Sequence, residues 1–245
     1  MSISTLYKYK SLSTTEELKH ARSLICDSEI YFSSPLDFND PFDCRPGFRI
    51  GETEEDKEKF VGELIEITPE HMAMIDKTKL ETTIRNNFLK ECENMGVGLC
   101  CFSEINDEIL MYSHYSSSHQ GFCLEFEVPN ETSFFGSARK VNYSNEYPIV
   151  DPLSHSPEKD LENMFLSKSR KWEYEKERRI FAFNLASTTR KFPEELLKGI
   201  IFGCRMEEDY KILFREWEKK RSSPLQFYEA RIKEKEYGLD IDPVD

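Results

Sequence analysis

The densest concentration of reactive side chains lies between Lys168 and Arg179, where Trp172-Glu173-Tyr174-Glu175-Lys176-Glu177-Arg178 follows a run of bases. Six bases and three acids give this stretch a net charge of +3. A carboxylate held among guanidinium groups stays ionised. It can orient a sugar hydroxyl or stabilise a cationic transition state, while the flanking bases hold a phosphate. If the segment is extended, Glu173, Glu175, Glu177 and Arg179 project to one face. If it is helical, Glu173 and Glu177 share a face instead. Trp172 and Tyr174 add rings that can stack on a base or close a pocket. The competing structural reading is a salt-bridged surface strand.

Three other segments combine polar groups with aromatics. They are Tyr7-Lys8-Tyr9, then Ser33-Ser34-Pro35 running into Phe38-Asn39-Asp40-Pro41-Phe42-Asp43, and Tyr112-Ser113-His114-Tyr115 leading to His119-Gln120-Gly121. His114 is the histidine set among aromatics and hydroxyls, and it is either a general base or a packed helix histidine. Asn39 and Asp40 suit a turn, with Phe38 and Phe42 pinning the loop to a core. Asp40, Asp43 and His114 offer metal-type ligands at a spacing that is not diagnostic. The chain carries no P-loop, HExxH or nucleophile elbow.

These residues need elements to position them. Strands are expected at 6–9, 29–33, 97–103, 121–128, 141–143, 178–184, 199–203 and 225–232. Helices are expected from Thr14 or Thr15 to Ile25, over 107–115, 157–169, 194–198 and 207–220, and through most of 54–93, where Thr53 resembles an N-cap. Strands and helices mix without the βαβ rhythm or a GxGxxG turn. The reading is therefore one α+β domain over 1–232, with a mixed, mostly antiparallel sheet and a helical insertion at about 54–93. Residues 233–245 are expected to be a flexible charged tail.

Composition narrows the function classes. The 245 residues hold 46 acids against 33 bases, a net charge of −13. Most of that excess falls in residues 1–122, which carry 22 acids and 12 bases. Such acidity argues against general nucleic-acid binding, which rests on neutralising phosphates. It leaves room for one phosphate-bearing small molecule at the basic 168–179 segment. No apolar run approaches the roughly 18 residues of a membrane-spanning helix. The N-terminus has no basic start followed by an apolar stretch, so no secretory signal is expected. The seven cysteines include no CxxC pair, and reduced, mostly buried thiols in a cytoplasmic protein are expected.

Taken together, the segments Leu6-Tyr7-Lys8-Tyr9, Phe38 to Asp43, Met111 to Tyr115 with His119 to Phe126, and Lys168 followed by Trp172 to Arg178 resemble the bacterial domain of unknown function 2971 family. The resemblance spans roughly residues 6–205, with the segments in the family's order, and it implies no particular activity. Tyr112 stands where tryptophan is common.

A second resemblance, to ADP-ribosyltransferases, concerns the order of elements. It implies NAD as cofactor and cleavage of its nicotinamide–ribose bond, in a toxin or phage-defence setting, with a protein or nucleic-acid acceptor. Glu177 or Glu175 would be the catalytic carboxylate, with His114 as a further catalytic candidate. Tyr7, Lys8, Tyr9, Ser33, Ser34, Asn39, Asp40, Tyr115, Trp172 and Arg178 would hold the cofactor. The first position carries tyrosine where the large subgroups carry arginine or histidine. The alternatives are a non-catalytic module that binds a nucleotide or phosphate ligand, and a metal-dependent hydrolase using Asp40, Asp43 and His114.

Overall fold

A computed structural model describes residues 3–49, 94–151 and 157–244, with isolated positions between 53 and 90. The fold is α+β, as expected. The strands are β1 (Thr5–Lys10), β2 (Glu29–Phe32), β3 (Gly47–Phe48), β4 (Gly98–Ser103), β5 (Phe122–Glu127), β6 (Arg139–Lys140) and β7 (Asn142–Ser144). They continue with β8 (Ile149–Val150), β9 (Ser167–Ser169), β10 (Glu177–Ala182), β11 (Thr188–Lys191), β12 (Leu197–Phe202), β13 (Gln226–Ile232) and β14 (Leu239–Pro243). The helices are α1 (Thr15–Cys26), α2 (Ile109–Tyr115), α3 (Pro157–Phe165) and α4 (Glu208–Glu218).

The chain packs as two compact units. The first comprises Met1–Ser33, Gly98–Val141 and Glu173–Asp245; the second comprises Ser34–Val97 and Asn142–Trp172. The first unit is built on a sheet of order β14-β13-β12-β5-β1-β4-β10-β6, eight strands among the described residues. Neighbours are antiparallel except β12 and β13. In β5 the alternation of Phe122, Leu124 and Phe126 with Cys123, Glu125 and Glu127 puts apolar side chains on one face. That face also carries Leu6, Phe102, Ile200 and Phe202, and it is covered by Ala21, Leu24 and Ile25 of α1 and Phe214 and Trp217 of α4. Rings interlock there, with Phe126 4.4 Å from Phe135 and Phe122 4.8 Å from Phe214. Helix α1 starts at a capping box: the Glu17 amide donates to Thr14 Oγ1 and the Thr14 amide to Glu17 Oε2.

Several expectations need correction. The C-terminal segment is not a loose tail: β14 pairs with β13 from Ile232↔Leu239 to Tyr228↔Pro243. Leu239 is buried and Ile241 packs beside it, which anchors the acidic strand. The helix expected over 157–169 stops at Phe165, and Ser167–Ser169 become β9 because they pair in parallel with β7. The helix expected at 194–198 is a single 3-10 turn, Glu194–Leu196, after which Leu197 enters β12. The Lys168–Arg179 segment is neither one strand nor one helix. Residues Arg170–Glu175 form a 3-10 helix, Lys176 takes a positive φ of 47°, and β10 starts at Glu177. The expected insertion at 54–93 falls largely outside the described residues. At its start Thr53 and Asp56 exchange amide-to-side-chain bonds of 2.9 and 3.1 Å, as an N-cap requires.

Among the described residues no helix is long and apolar enough to cross a membrane. Cys26, Cys44, Cys100, Cys101, Cys123 and Cys204 are free thiols, and burial raises the pKa of Cys100, Cys101 and Cys123, which suits packing rather than reactivity.

Candidate functional site

The face of the first unit's sheet opposite its main core carries one row of polar residues. Register aligns Glu177 with Ser103, Ser103 with Tyr7, Tyr7 with Glu125 and Glu125 with Gly199. The next row holds Arg179 beside Cys101, and Tyr9 beside Cys123. Tyr9 is buried, packs edge-on to Tyr112 at 4.9 Å and donates to the Ile105 carbonyl. Among the predicted residues, then, Tyr7, Tyr9 and Glu177 share a face.

Both carboxylates of the Glu-x-Glu pattern are buried, and each has a distinct partner. Arg179 Nε donates to Glu177 Oε1 at 2.7 Å and Nη2 to Oε2 at 2.9 Å, a bidentate pair in which Arg179 is 0% and Glu177 4% exposed. Glu175 is 2% exposed, and its Oε1 accepts from the Tyr115 hydroxyl at 2.7 Å. Its backbone is fixed by the Ser103 hydroxyl, which donates to the Glu175 carbonyl at 2.6 Å. The turn at Lys176 breaks the strand alternation between the two acids, which take different partners, whereas a straight strand would have stacked them on one face. Glu173 is exposed.

Strand alternation separates Lys8 from its neighbours. Lys8 points to the main-core side, donating to the Cys101 carbonyl at 2.8 Å and lying 5.1 Å from the Phe102 ring centre. Tyr7-Lys8-Tyr9 is therefore not one wall. Arg178 likewise turns away from Glu177, paired with Glu104 at 2.6 Å and bonded to the Ala138 carbonyl. Ser33 is held in a backbone bridge to Leu99, and His114 is exposed on α2, its ring edge-on to Tyr115 at 6.3 Å.

Ser34, Asn39, Asp40 and Trp172 belong to the second unit. Ser34 caps the Pro35–Asp37 turn through the Leu36 amide. Asp40 accepts from the Phe42 amide at 2.9 Å, the turn role its sequence suggests, and Asn39 is exposed. Two short parallel pairs, β3 with β8 and β7 with β9, bring this loop and the Lys168–Trp172 segment to one cavity of about 460 Å³. Asp40 and Trp172 both line it, so two of the four polar segments converge here. At its wall Lys168 is buried, 3.6 Å from Asp43 Oδ2 and 5.1 Å from the Trp172 ring centre. Arg45 and Lys171 also line the cavity, are exposed, and make no ion pair among the described residues. Phe42, 64% exposed, and Tyr147, 48% exposed, add aromatic surface to the same wall.

Asp43 thus serves Lys168, and no group of three or more His, Cys, Asp or Glu among the described residues is placed to hold a metal ion. Asp40, Asp43 and His114 accordingly form no such group among the described residues.

Sequence reasoning missed Glu125, Arg45 and Tyr147, and counted Lys171 only among the bases of the 168–179 segment. Glu125 had a signal, being a carboxylate inside the apolar run Phe122 to Phe126. Burial raises its pKa against the smaller lowering effect of the Tyr7 hydroxyl; burial and the Glu125 charge raise Tyr7 and Tyr228 in turn. A carboxyl whose folded pKa is raised contributes stability below its unfolded value, about 4.3, and loses it as pH rises through the folded value. Glu125→Gln should therefore raise the melting temperature at neutral pH, with the gain vanishing below about pH 4. Solvent screening of this half-buried group holds the gain below about 1 kcal/mol. Calorimetry across pH checks this; a gain that persists unchanged in acid would contradict it.

No family model, curated protein or solved structure matches the chain.

Proposed function

We propose that the chain binds a nucleotide in the second unit's cavity, with the base against aromatic surface and the phosphates near Arg45, Lys171 and Lys168. The observation that carries this reading is the pairing of two cations that make no ion pair among the described residues, Arg45 and Lys171, with exposed rings in one concave wall that also holds Asp40 and Glu146. Aromatic faces accept any base, and cations near a ring favour phosphate-bearing ligands. The membership in the bacterial domain of unknown function 2971 family suggested by the sequence is part of the same proposal.

Fluorescence tests it directly. The chain has two tryptophans, and Trp217 is buried in the first unit's core. ATP, ADP-ribose and NAD should each be titrated. At least one should quench emission saturably and raise the melting temperature, and Trp172→Phe should abolish the quenching. If none of them changes either signal, the proposal fails.

A second reading, an NAD-cleaving enzyme of ADP-ribosyltransferase type acting in toxin or phage defence, is favoured by one feature. Two fixed carboxylates, Glu175 and Glu177, stand beside Tyr115 and Arg179, where a carboxylate can stabilise developing positive charge on ribose. NAD would be the cofactor, and a protein or nucleic acid the acceptor. Nicotinamide release from NAD, lost in Glu175→Gln, is the result this reading requires. Nucleotide binding without nicotinamide release leaves the binding module alone standing.

A further inference from the structure

In the first unit, Ser117, Ser118 and His119 all have positive φ, at 49°, 54° and 71°. Three consecutive left-handed L-residues are costly, and such strain gathers at functional sites. Here it serves to place His119. The His119 amide donates to the Tyr112 carbonyl at 3.1 Å, and the Arg205 amide donates to the His119 carbonyl at 3.0 Å. A Cβ at position 203 would collide with that same carbonyl, so Gly203 permits the approach. His119 and Arg205 are thereby locked side by side.

Both line a cavity of about 580 Å³ together with Ile109, Cys204, Lys233 and Leu239. Among the described residues two buried polar atoms lack hydrogen-bond partners: Nδ1 of the lining residue His119, and the hydroxyl of Tyr112, which is not part of the lining but stacks its ring on His119 at 5.9 Å. Such groups are costly unless something completes them. The lining also contains Glu234 and Glu236, but Glu236 is taken up by Lys233 at 2.9 Å. Arg205 is exposed and makes no ion pair or side-chain hydrogen bond among the described residues.

We propose that this cavity is a second ligand site, taking a small organic anion whose oxyanion meets Arg205 and His119 while its apolar body lies against Ile109 and Leu239. Burial and the nearby Arg205 charge lower the His119 pKa, so the ring is neutral at neutral pH and keeps one ring N–H to donate to the oxyanion. The proposal is independent of nucleotide binding in the second unit.

Carboxylates and phosphate esters share this chemistry, and two probes separate them. Chain labelled with ¹⁵N-histidine is titrated with benzoate and with phenyl phosphate, using benzyl alcohol as the neutral control. His119→Gln assigns the His119 ring signals among the five histidines. At least one oxyanion should move those signals saturably and benzyl alcohol should not. Arg205→Gln should weaken the effect by about tenfold or more. Because Arg205 is exposed, this variant should melt like the parent without probe. The proposal is overturned if neither oxyanion moves the His119 signals, if benzyl alcohol moves them equally, or if Arg205→Gln binds unchanged.

Discussion

Glu177→Ala should lower the free energy of unfolding by about 3–5 kcal/mol, the cost of removing one partner of a buried ion pair. Arg179 has no exposure, and both of its bonds to Glu177 are short and parallel. Truncating Glu177 leaves a guanidinium in the interior without that bidentate acceptor. The Cys101 thiol beside it cannot substitute as an anion, because burial alone, the largest cause of its raised pKa, disfavours the thiolate. Urea denaturation of the purified variant measures the loss. A double change, Glu177→Leu with Arg179→Met, should recover much of it, since apolar replacements of similar volume often equal a buried pair. A loss in the single variant of less than about 1 kcal/mol, the range of exposed pairs, would show that the pair is not dry. The same result governs how activity data are read. Loss of turnover in Glu177→Ala would reflect folding as readily as chemistry, whereas Glu175→Gln keeps an acceptor for the Tyr115 hydroxyl and separates the two.

The sequence made the long, strongly patterned elements readable, because they bury one face. Helix α1, strands β1, β4 and β5 and helix α4 appear close to their expected bounds. The misses have particular causes. Leu239-Asp240-Ile241-Asp242 alternates with a strand's period, but its charge suggested a tail; pairing with β13 and an Arg231–Asp242 contact of 3.5 Å offset that charge. Of the short strands β7 was expected at 141–143, whereas β3, β8 and β9 carry too little pattern to read, and the pairings of these strands assemble the second unit's cavity. Period-two alternation already implied that Lys8 opposes Tyr7 and Tyr9; grouping them by chemical type hid it. The turn at Lys176 was not legible, because lysine has no preference for positive φ. That single residue interrupts the alternation that would have put Glu175 and Glu177 on one face. The convergence of Asp40 with Trp172 was anticipated as a shared site, and Lys171 belongs to the basic segment read as a place for phosphate, but Arg45, which completes the wall, carries no sequence signal beyond its charge.

Lys168→Met should weaken nucleotide binding by roughly ten- to hundredfold, the worth of one charge-assisted contact. Lys168 differs from the other cations of its cavity. Its ammonium is nearly dry, held between Asp43 and the Trp172 ring, so its field is less screened than that of Arg45 or Lys171. Replacement also removes an ion-pair partner of the buried Asp43 carboxylate, which accepts the Cys44 amide at 2.8 Å. Some loss of stability is therefore expected alongside the loss of affinity, and the two must be separated. Arg45→Met with Lys171→Met provides the separation, because exposed cations without ion pairs contribute little to stability. If phosphates sit where the cations converge, this double variant melts like the parent yet binds ATP more weakly, and salt weakens the parent's binding more than the variant's. Equal affinity in the parent, Lys168→Met and the double variant would place the nucleotide elsewhere. Loss in Lys168→Met alone would mean that the buried cation acts by fixing Trp172, with the ring rather than the charge making the contact.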